Sequence, residues 1–308
     1  KSMTAKKKKH GLRKQWPFYV MMAPGLLYLL VNNYGPISGL FIAFKQIDYT
    51  KGIFGSPWVG FKNFTYLFKT NAAFQITRNT ILYNLIFIIV GTVTGVATGI
   101  MLSELRHRAE TKFFQTVLLL PYLLSWVICA YIGYAFLSRE TGLLNGILSS
   151  LGFAKIDWYN DAGKWPYILL FVNVWKGIGY SSIIYMSSII GIDRSLYEAA
   201  MVDGATKWQQ IRFITLPLLK STMIMLIIMS VGRMFYSDFG LFYQIPMNSG
   251  ALYSTTQTID TYVYRALMQQ NDVGMASAAG FYQSIVGFIL VLTANMIVRK
   301  VSPDDAMF

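Results

Sequence analysis

Charge is what this chain has least of. Only 13% of its 308 residues are Asp, Glu, Lys or Arg, against roughly a quarter in an ordinary soluble domain. With 54% hydrophobic residues and a mean hydropathy of +0.43, the chain reads as an all-α, polytopic membrane protein. Other absences narrow it further. The one cysteine, Cys129, cannot form an internal disulfide, and the two histidines, His10 and His107, both lie in basic stretches. With no H-E-x-x-H and no Cys/His cluster, no metal site is expected. No G-x-x-x-x-G-K-[ST] is present to cradle a nucleotide phosphate. No acidic residue lies deep in an apolar run, as an ion-coupled carrier would need, and no polar cluster has a spacing useful for catalysis. No catalytic residue and no cofactor bound by this chain is expected.

What charge there is has a strong bias, +13 overall. A nucleic-acid partner is not expected, because the positive residues sit at the ends of apolar runs, where membrane topology explains them. Six runs are long enough to cross a bilayer: about 17–44, 78–102, 113–137, 166–190, 218–237 and 277–298. A basic cytoplasmic tail, 1–16, precedes this six-helix domain, 17–298, and a cytoplasmic tail, 299–308, follows it. The first run is too long for a signal peptide and has no A-x-A site. With both ends inside, and with Arg78 and Lys220 at span ends counted with the adjoining segments, sixteen of the 27 Lys and Arg fall in cytoplasmic segments, nine in external ones and two, Lys176 and Arg233, within spans. That excess agrees with the positive-inside rule.

Several spans carry local signals. Pro24 and Pro36 are expected to kink the first and Pro121 lies inside the third. Gly91, Gly95 and Gly99 form a stripe at spacing four on the second, best explained by close helix packing. Residues 61–69 read as an interfacial, partly helical segment of an external loop. The fourth span holds NVWKGIGYSS, 173–182, with Lys176 near mid-membrane. A lysine there costs about 2.5–3.5 kcal/mol on insertion scales, so it must face a cavity or a partner. Arg233, Tyr236 and Asp238 close the fifth span, near enough to its end to reach the interface.

The cytoplasmic loop 191–217 is the most informative stretch. Ser195 and Glu198 have the spacing of a capping box, so a helix is expected to start near Ser195. Gly204 suits the left-handed turn that ends it. Thr206 and Gln209 repeat the box and start a second helix, and Pro217 is placed to open the next apolar run. The pattern Glu198-Ala199-Ala200, three residues, Gly204, nine residues, Ile214, one residue, Leu216-Pro217 resembles the EAA motif of ATP-binding-cassette (ABC) importer permeases. It matches at every fixed position and on the expected side of the membrane.

The Asp203-Gly204-Ala205 version of the motif and the long last external loop resemble the carbohydrate-uptake, maltose-type branch of that family. APGLLYLLVNNYGPISGLFIAFKQ near the start and NMIVRKVSPDDAMF at the end are similar to its polysaccharide or lipoprotein-type subfamily. The resemblance implies a type I importer permease fold with six transmembrane helices. It also implies a second homologous permease subunit, two ATPase subunits that carry the ATP and Mg, and an extracellular solute-binding lipoprotein. The solute it implies is an oligosaccharide, with a permease for a non-sugar solute, or an ion-coupled carrier, as the alternatives. Glu198, Ala199, Ala200, Asp203, Gly204, Ile214, Leu216 and Pro217 are then expected at the ATPase contact, with Trp208 and Arg212 on the second short helix beside them. Sugars are held by aromatic faces and polar groups, which makes Asn84, Asn173, Trp175, Lys176, Tyr180 and Tyr236 candidates for the solute pathway.

Overall fold

The computed structural model describes residues 12–301; the outer parts of both expected tails lie outside the described residues. The order is α1 (Leu12–Leu29), α2 (Gly35–Ile37), α3 (Gly52–Gly55), α4 (Lys62–Lys69), α5 (Ala72–Ser103), α6 (Arg108–Leu123), α7 (Trp126–Leu137) and α8 (Leu143–Ser150). Then come α9 (Trp165–Ile190), α10 (Arg194–Val202), α11 (Lys207–Gln210), α12 (Leu216–Gly232), α13 (Tyr253–Thr256), α14 (Ile259–Met268) and α15 (Val273–Val301). The described residues contain no strand, only one isolated bridge between Lys45 and Trp58.

Five helical segments are long and apolar enough to span: Trp16–Phe44, Ala72–Ser103, Ala162–Ile190, Lys207–Gly232 and Val273–Lys300. The third expected span is not one helix. It is α6 and α7, meeting at 97°. Two local causes combine. Pro121 cannot continue the hydrogen-bond ladder, and Ser125 leaves the helix with extended backbone and caps α7, its hydroxyl accepting from the Ile128 N–H at 3.3 Å.

Prolines elsewhere are absorbed without a break. Immediately before Pro36 and Pro217 the helix widens by one residue, at Leu30–Tyr34 and Ile211–Thr215. In each, a backbone N–H reaches five residues back, Gly35 to Leu30 and Leu216 to Ile211. Such a wide turn removes the demand for the donor that proline lacks. Pro217 therefore does not open a new helix, as its place after Leu216 suggested. It lies inside one continuous rod from Lys207 to Gly232.

The close packing expected of the glycine stripe is present between α5 and α9. A Cβ on Gly95 would lie 2.9 Å from the Ser181 Cβ, and one on Gly99 would lie 2.9 Å from the Tyr185 Cβ. Gly91 meets nothing within 4 Å. Replacing Gly95 or Gly99 by Ala should each destabilise the helix pair by about 1–3 kcal/mol, while Gly91→Ala should be neutral. Thermal unfolding of the purified, detergent-solubilised complex checks the contrast.

The buried core lies mostly toward the ends of the spans where the two large loops fold back. Leu67, Ile76, Phe235, Ile259, Ala266 and Ala279 form one cluster, joining α4, α5, α14 and α15. Trp165, Leu169, Leu241, Ile245 and Leu252 form another beside Tyr83. Asn145, fully buried, staples the 138–165 loop: its amide donates to the carbonyls of Ser138, Arg139 and Ile156 and accepts from the Ile156 N–H. α1 is the exception. Its residues from Trp16 to Leu29 are almost all exposed, Met21 at 78%, and among the described residues it has no substantial packing partner beyond the turns that continue it.

Candidate functional site

The 191–217 loop is a helical elbow at one end of α9 and α12. Asp193, not Ser195, caps α10, its carboxylate accepting from the Ser195 N–H at 2.9 Å. The expected capping box between Ser195 and Glu198 is therefore absent, because the helix begins one residue before Ser195. That backbone hydrogen bond holds the Asp193 carboxyl below the usual carboxylate range. A lowered native pKa means the cap stabilises α10 above the ordinary carboxylate pKa and is lost as pH falls through the lowered value. Amide exchange across 194–202 should accordingly speed up, beyond its intrinsic pH dependence, on acidification into that range, and Asp193→Ala should show the fast rate already at neutral pH.

The end of α10 follows directly from its glycine. Gly204 takes φ +78°, the Ala205 N–H returns to the Ala200 carbonyl at 2.9 Å and the Gly204 N–H to Met201 at 3.1 Å. That pair is the Schellman closure. Thr206 and Gln209 then form the expected capping box of α11. The elbow is held to the bundle from behind. Tyr197 Oη lies 2.9 Å from Thr215 Oγ1, the buried Gln210 donates to the Ala205 carbonyl, and Lys207 Nζ pairs with Glu104 at 2.8 Å. The last pair is exposed and contributes at most about 1 kcal/mol.

Its outward side has no partner segment among the described residues. Glu198, Ala199, Asp203, Gly204, Trp208, Arg212 and Pro217 are exposed and Ala200 is half-buried. The Glu198 side chain makes no hydrogen bond or ion pair among the described residues. Motif reading missed the apolar side chains beside them: Leu196 (45% exposed), Met201, Val202 (88%) and Phe213 join Trp208 (68%) on the same elbow. The signal was available as apolar residues spaced along two short helices that no neighbouring segment could cover. Two motif positions face the other way. Ile214 is half-buried, and Leu216 packs on the inner cluster of Val96, Tyr185 and Leu219, so Leu216 anchors the elbow rather than presenting it.

The candidate pathway residues separate. Asn173 and Tyr180 meet at a cleft of about 240 Å³ between α5, α9 and α12, with the hydroxyls of Thr92, Thr94, Ser181 and Ser230 around it. Tyr180 stacks on Tyr122, ring centroids 5.0 Å apart and 11° from parallel, and stays half exposed. Asn84 instead donates to the Thr80 carbonyl of its own helix. Trp175 lines an apolar pocket with Cys129 and Phe171, and Tyr236 is exposed in the turn after α12. Lys176 is engaged by the end of α6. Asp238 is exposed, and its carboxylate accepts from the Gly240 and Leu241 N–H groups.

A helical elbow with an uncovered apolar face, carried by a bundle of long apolar helices, fits a membrane subunit that docks a partner. The family described as binding-protein-dependent transport system inner membrane component matches residues 91–303. The chain belongs to this family. This permease is 31% identical over 288 residues to Protein LplB of Bacillus subtilis, covering 94% of this chain and 90% of that protein. It is 33% identical over 290 residues to the polygalacturonan/rhamnogalacturonan transport system permease protein YteP of the same organism, covering 94% and 89%. Among solved structures, a chain of a bacterial ABC transporter that imports the acidic polysaccharide alginate superposes with a TM-score of 0.86 at 32% identity, covering 94% of the permease and 98% of that chain. A chain of a bacterial alginate ABC transporter in complex with an alginate pentasaccharide-bound periplasmic protein matches at 31% identity with a TM-score of 0.85, covering 94% of the permease and 96% of that chain. The permease therefore has the ABC importer permease fold and belongs to a class of membrane subunits that are not themselves catalytic.

Proposed function

We propose that this permease passes an oligosaccharide across the cytoplasmic membrane, driven by ATP and Mg bound on two separate ATPase subunits that dock on the 191–217 elbow. The observation that carries the reading is the elbow itself: Trp208, Met201, Val202 and Phe213 lie exposed around Glu198 and Gly204, a face of apolar anchors with a rim charge, as protein interfaces have. Glu198 pairs with a basic group on the ATPase, Ala199 and Ala200 allow close approach, and Gly204 makes the bend. The elbow lies inside the cell, as do both termini, in keeping with the positive charge of the flanking segments.

A second homologous permease completes the passage, and α1 supports that requirement: a helix nearly bare of contacts with the other described elements has its packing surface free for another chain. An extracellular solute-binding lipoprotein delivers the sugar, in line with relatives that handle polygalacturonan and alginate. The cleft of Asn173 and Tyr180 has the composition a sugar needs, hydroxyls and an amide beside an exposed aromatic face.

The test is recovery of this chain from detergent-solubilised native membranes, with mass spectrometry of what accompanies it, then ATPase assays of the recovered complex. A second permease and an ATPase are expected, with turnover that rises when the binding protein is loaded with oligouronides or other oligosaccharides. Recovery of the chain alone, transporting after reconstitution without ATP, overturns the reading.

A further inference from the structure

α6 ends inside the bundle, at the 97° bend. Backbone carbonyls at a helix end have no intrahelical partner, and inside a bilayer no water is there to satisfy them. The Leu124 N–H returns to the Pro121 carbonyl at 3.2 Å, and Lys176 of α9 supplies the further donors. Its Nζ reaches the carbonyl oxygens of Pro121 at 3.1 Å and Tyr122 at 3.0 Å, and that of Leu124 as well. The cation also complements the negative end of the helix dipole and lies 4.9 Å from the Trp126 ring and 5.9 Å from that of Tyr122. Trp126 extends the junction. Its indole lies so close to Gly240 that a Cβ there would stand 1.9 Å from its Cδ1.

The junction thus ties three segments: the α6–α7 bend, the middle of α9, and the chain just after α12. Two of these lead straight to the elbow. α9 enters α10 after three residues, and α12 is continuous with α11. Lys176 lies fourteen residues before the end of α9, so the lever from the elbow to the junction is about 21 Å of helix.

We propose that Lys176 is a positioning residue for transport: it holds the broken third span to α9, so that a displacement of the elbow moves the α6–α7 bend with it. It acts through backbone carbonyls and does not bind the solute. The proposal rests on the importer reading, and the wild-type complex separates the two: without ATPase stimulation by the loaded binding protein the importer reading fails, whatever the variants do.

The experiment uses the whole reconstituted complex, recording solute uptake and ATP hydrolysis in the same proteoliposomes for wild type, Lys176→Met, Lys176→Gln and Lys176→Arg. Lys176→Met keeps the length and removes the donors. It is expected to lower uptake tenfold or more while ATP hydrolysis falls far less, so that sugar moved per ATP drops; the concentration of loaded binding protein and of sugar at half-maximal rate should stay within twofold. Lys176→Arg, which still offers donors to several carbonyls, should restore uptake to within threefold, with Lys176→Gln between. Wild-type uptake by Lys176→Met overturns the proposal. So does an undiminished maximal rate with a tenfold higher half-saturating sugar concentration, which marks a solute ligand. If the Met variant does not assemble, Lys176→Arg decides: assembly and uptake with unchanged half-saturation support the junction, and an assembled Arg variant that leaves transport uncoupled overturns it.

Discussion

Gly204→Asp should abolish uptake while leaving the permease inserted at normal abundance, and Glu198→Lys should do the same. The reason is visible in what surrounds both residues. A side chain on Gly204 meets nothing within 4 Å. Its φ of +78° makes an L-residue cost about 1–2 kcal/mol, and Asp is among the side chains that tolerate this region best. Glu198 is exposed and has no partner among the described residues, so reversing its charge removes nothing from the fold. Both changes act on the face the chain leaves open. A new carboxylate at the bend, or a lysine where a basic group has to dock, puts an unpaired or like charge into a desolvated contact, which costs several kcal/mol. Membrane abundance by immunoblot, solute uptake and ATPase co-purification measure the three parts separately. Normal uptake by both variants at normal abundance would sink the assignment of the elbow.

Gly179→Val should have the opposite signature, failing before transport is reached. A Cβ at Gly179 would sit 2.1 Å from the Leu118 carbonyl oxygen and 2.4 Å from its carbon. Those are backbone atoms of α6, which no rotamer change can move aside, so α6 and α9 must separate. Overpacking of this kind typically costs about 1–3 kcal/mol and occasionally more; here separation also draws the end of α6 away from the Lys176 ammonium. The expected outcome is loss of assembled complex on size-exclusion chromatography. Gly177, two residues away, provides the control: nothing lies within 4 Å of a Cβ there, so Gly177→Ala should assemble normally. Equal yields from the Val and Ala variants would refute the close crossing.

The contrast between these sites explains what could be read from the sequence. Five of the six expected spans lie close to where hydropathy put them, since a bilayer demands long apolar helices and leaves few other arrangements. The break at Leu124–Ser125 is local chemistry overriding that average: the apolar run continues through it, so hydropathy could not register it, although Pro121 and a capping serine were both in view. The cap of α10 at Asp193 displaced the box drawn on Ser195 and Glu198 because two acceptors within a few residues compete for the same N–H groups, and spacing alone does not choose between them. The elbow was legible because its glycine and its second capping box are backbone requirements. The cleft that Asn173 and Tyr180 share was not, because Asn84, Trp175 and Lys176 differ from them only in what other helices bring next to them. Lys176 shows this most plainly: its cost in the membrane was readable, while its three carbonyl partners come from residues more than fifty positions away.

That lysine also bears on how the transporter responds to the electrical state of the cell. One elementary charge crossing the whole membrane field is worth about 2.3 kcal/mol per 100 mV. An ammonium fixed to the end of a neighbouring helix travels only as far as the helices slide. A shift of about one tenth of the membrane thickness then couples to the potential by only about 0.2 kcal/mol per 100 mV, less than thermal energy. Voltage has almost no purchase on the junction, so uptake of a neutral solute at saturating ATP should stay flat across imposed diffusion potentials of either sign.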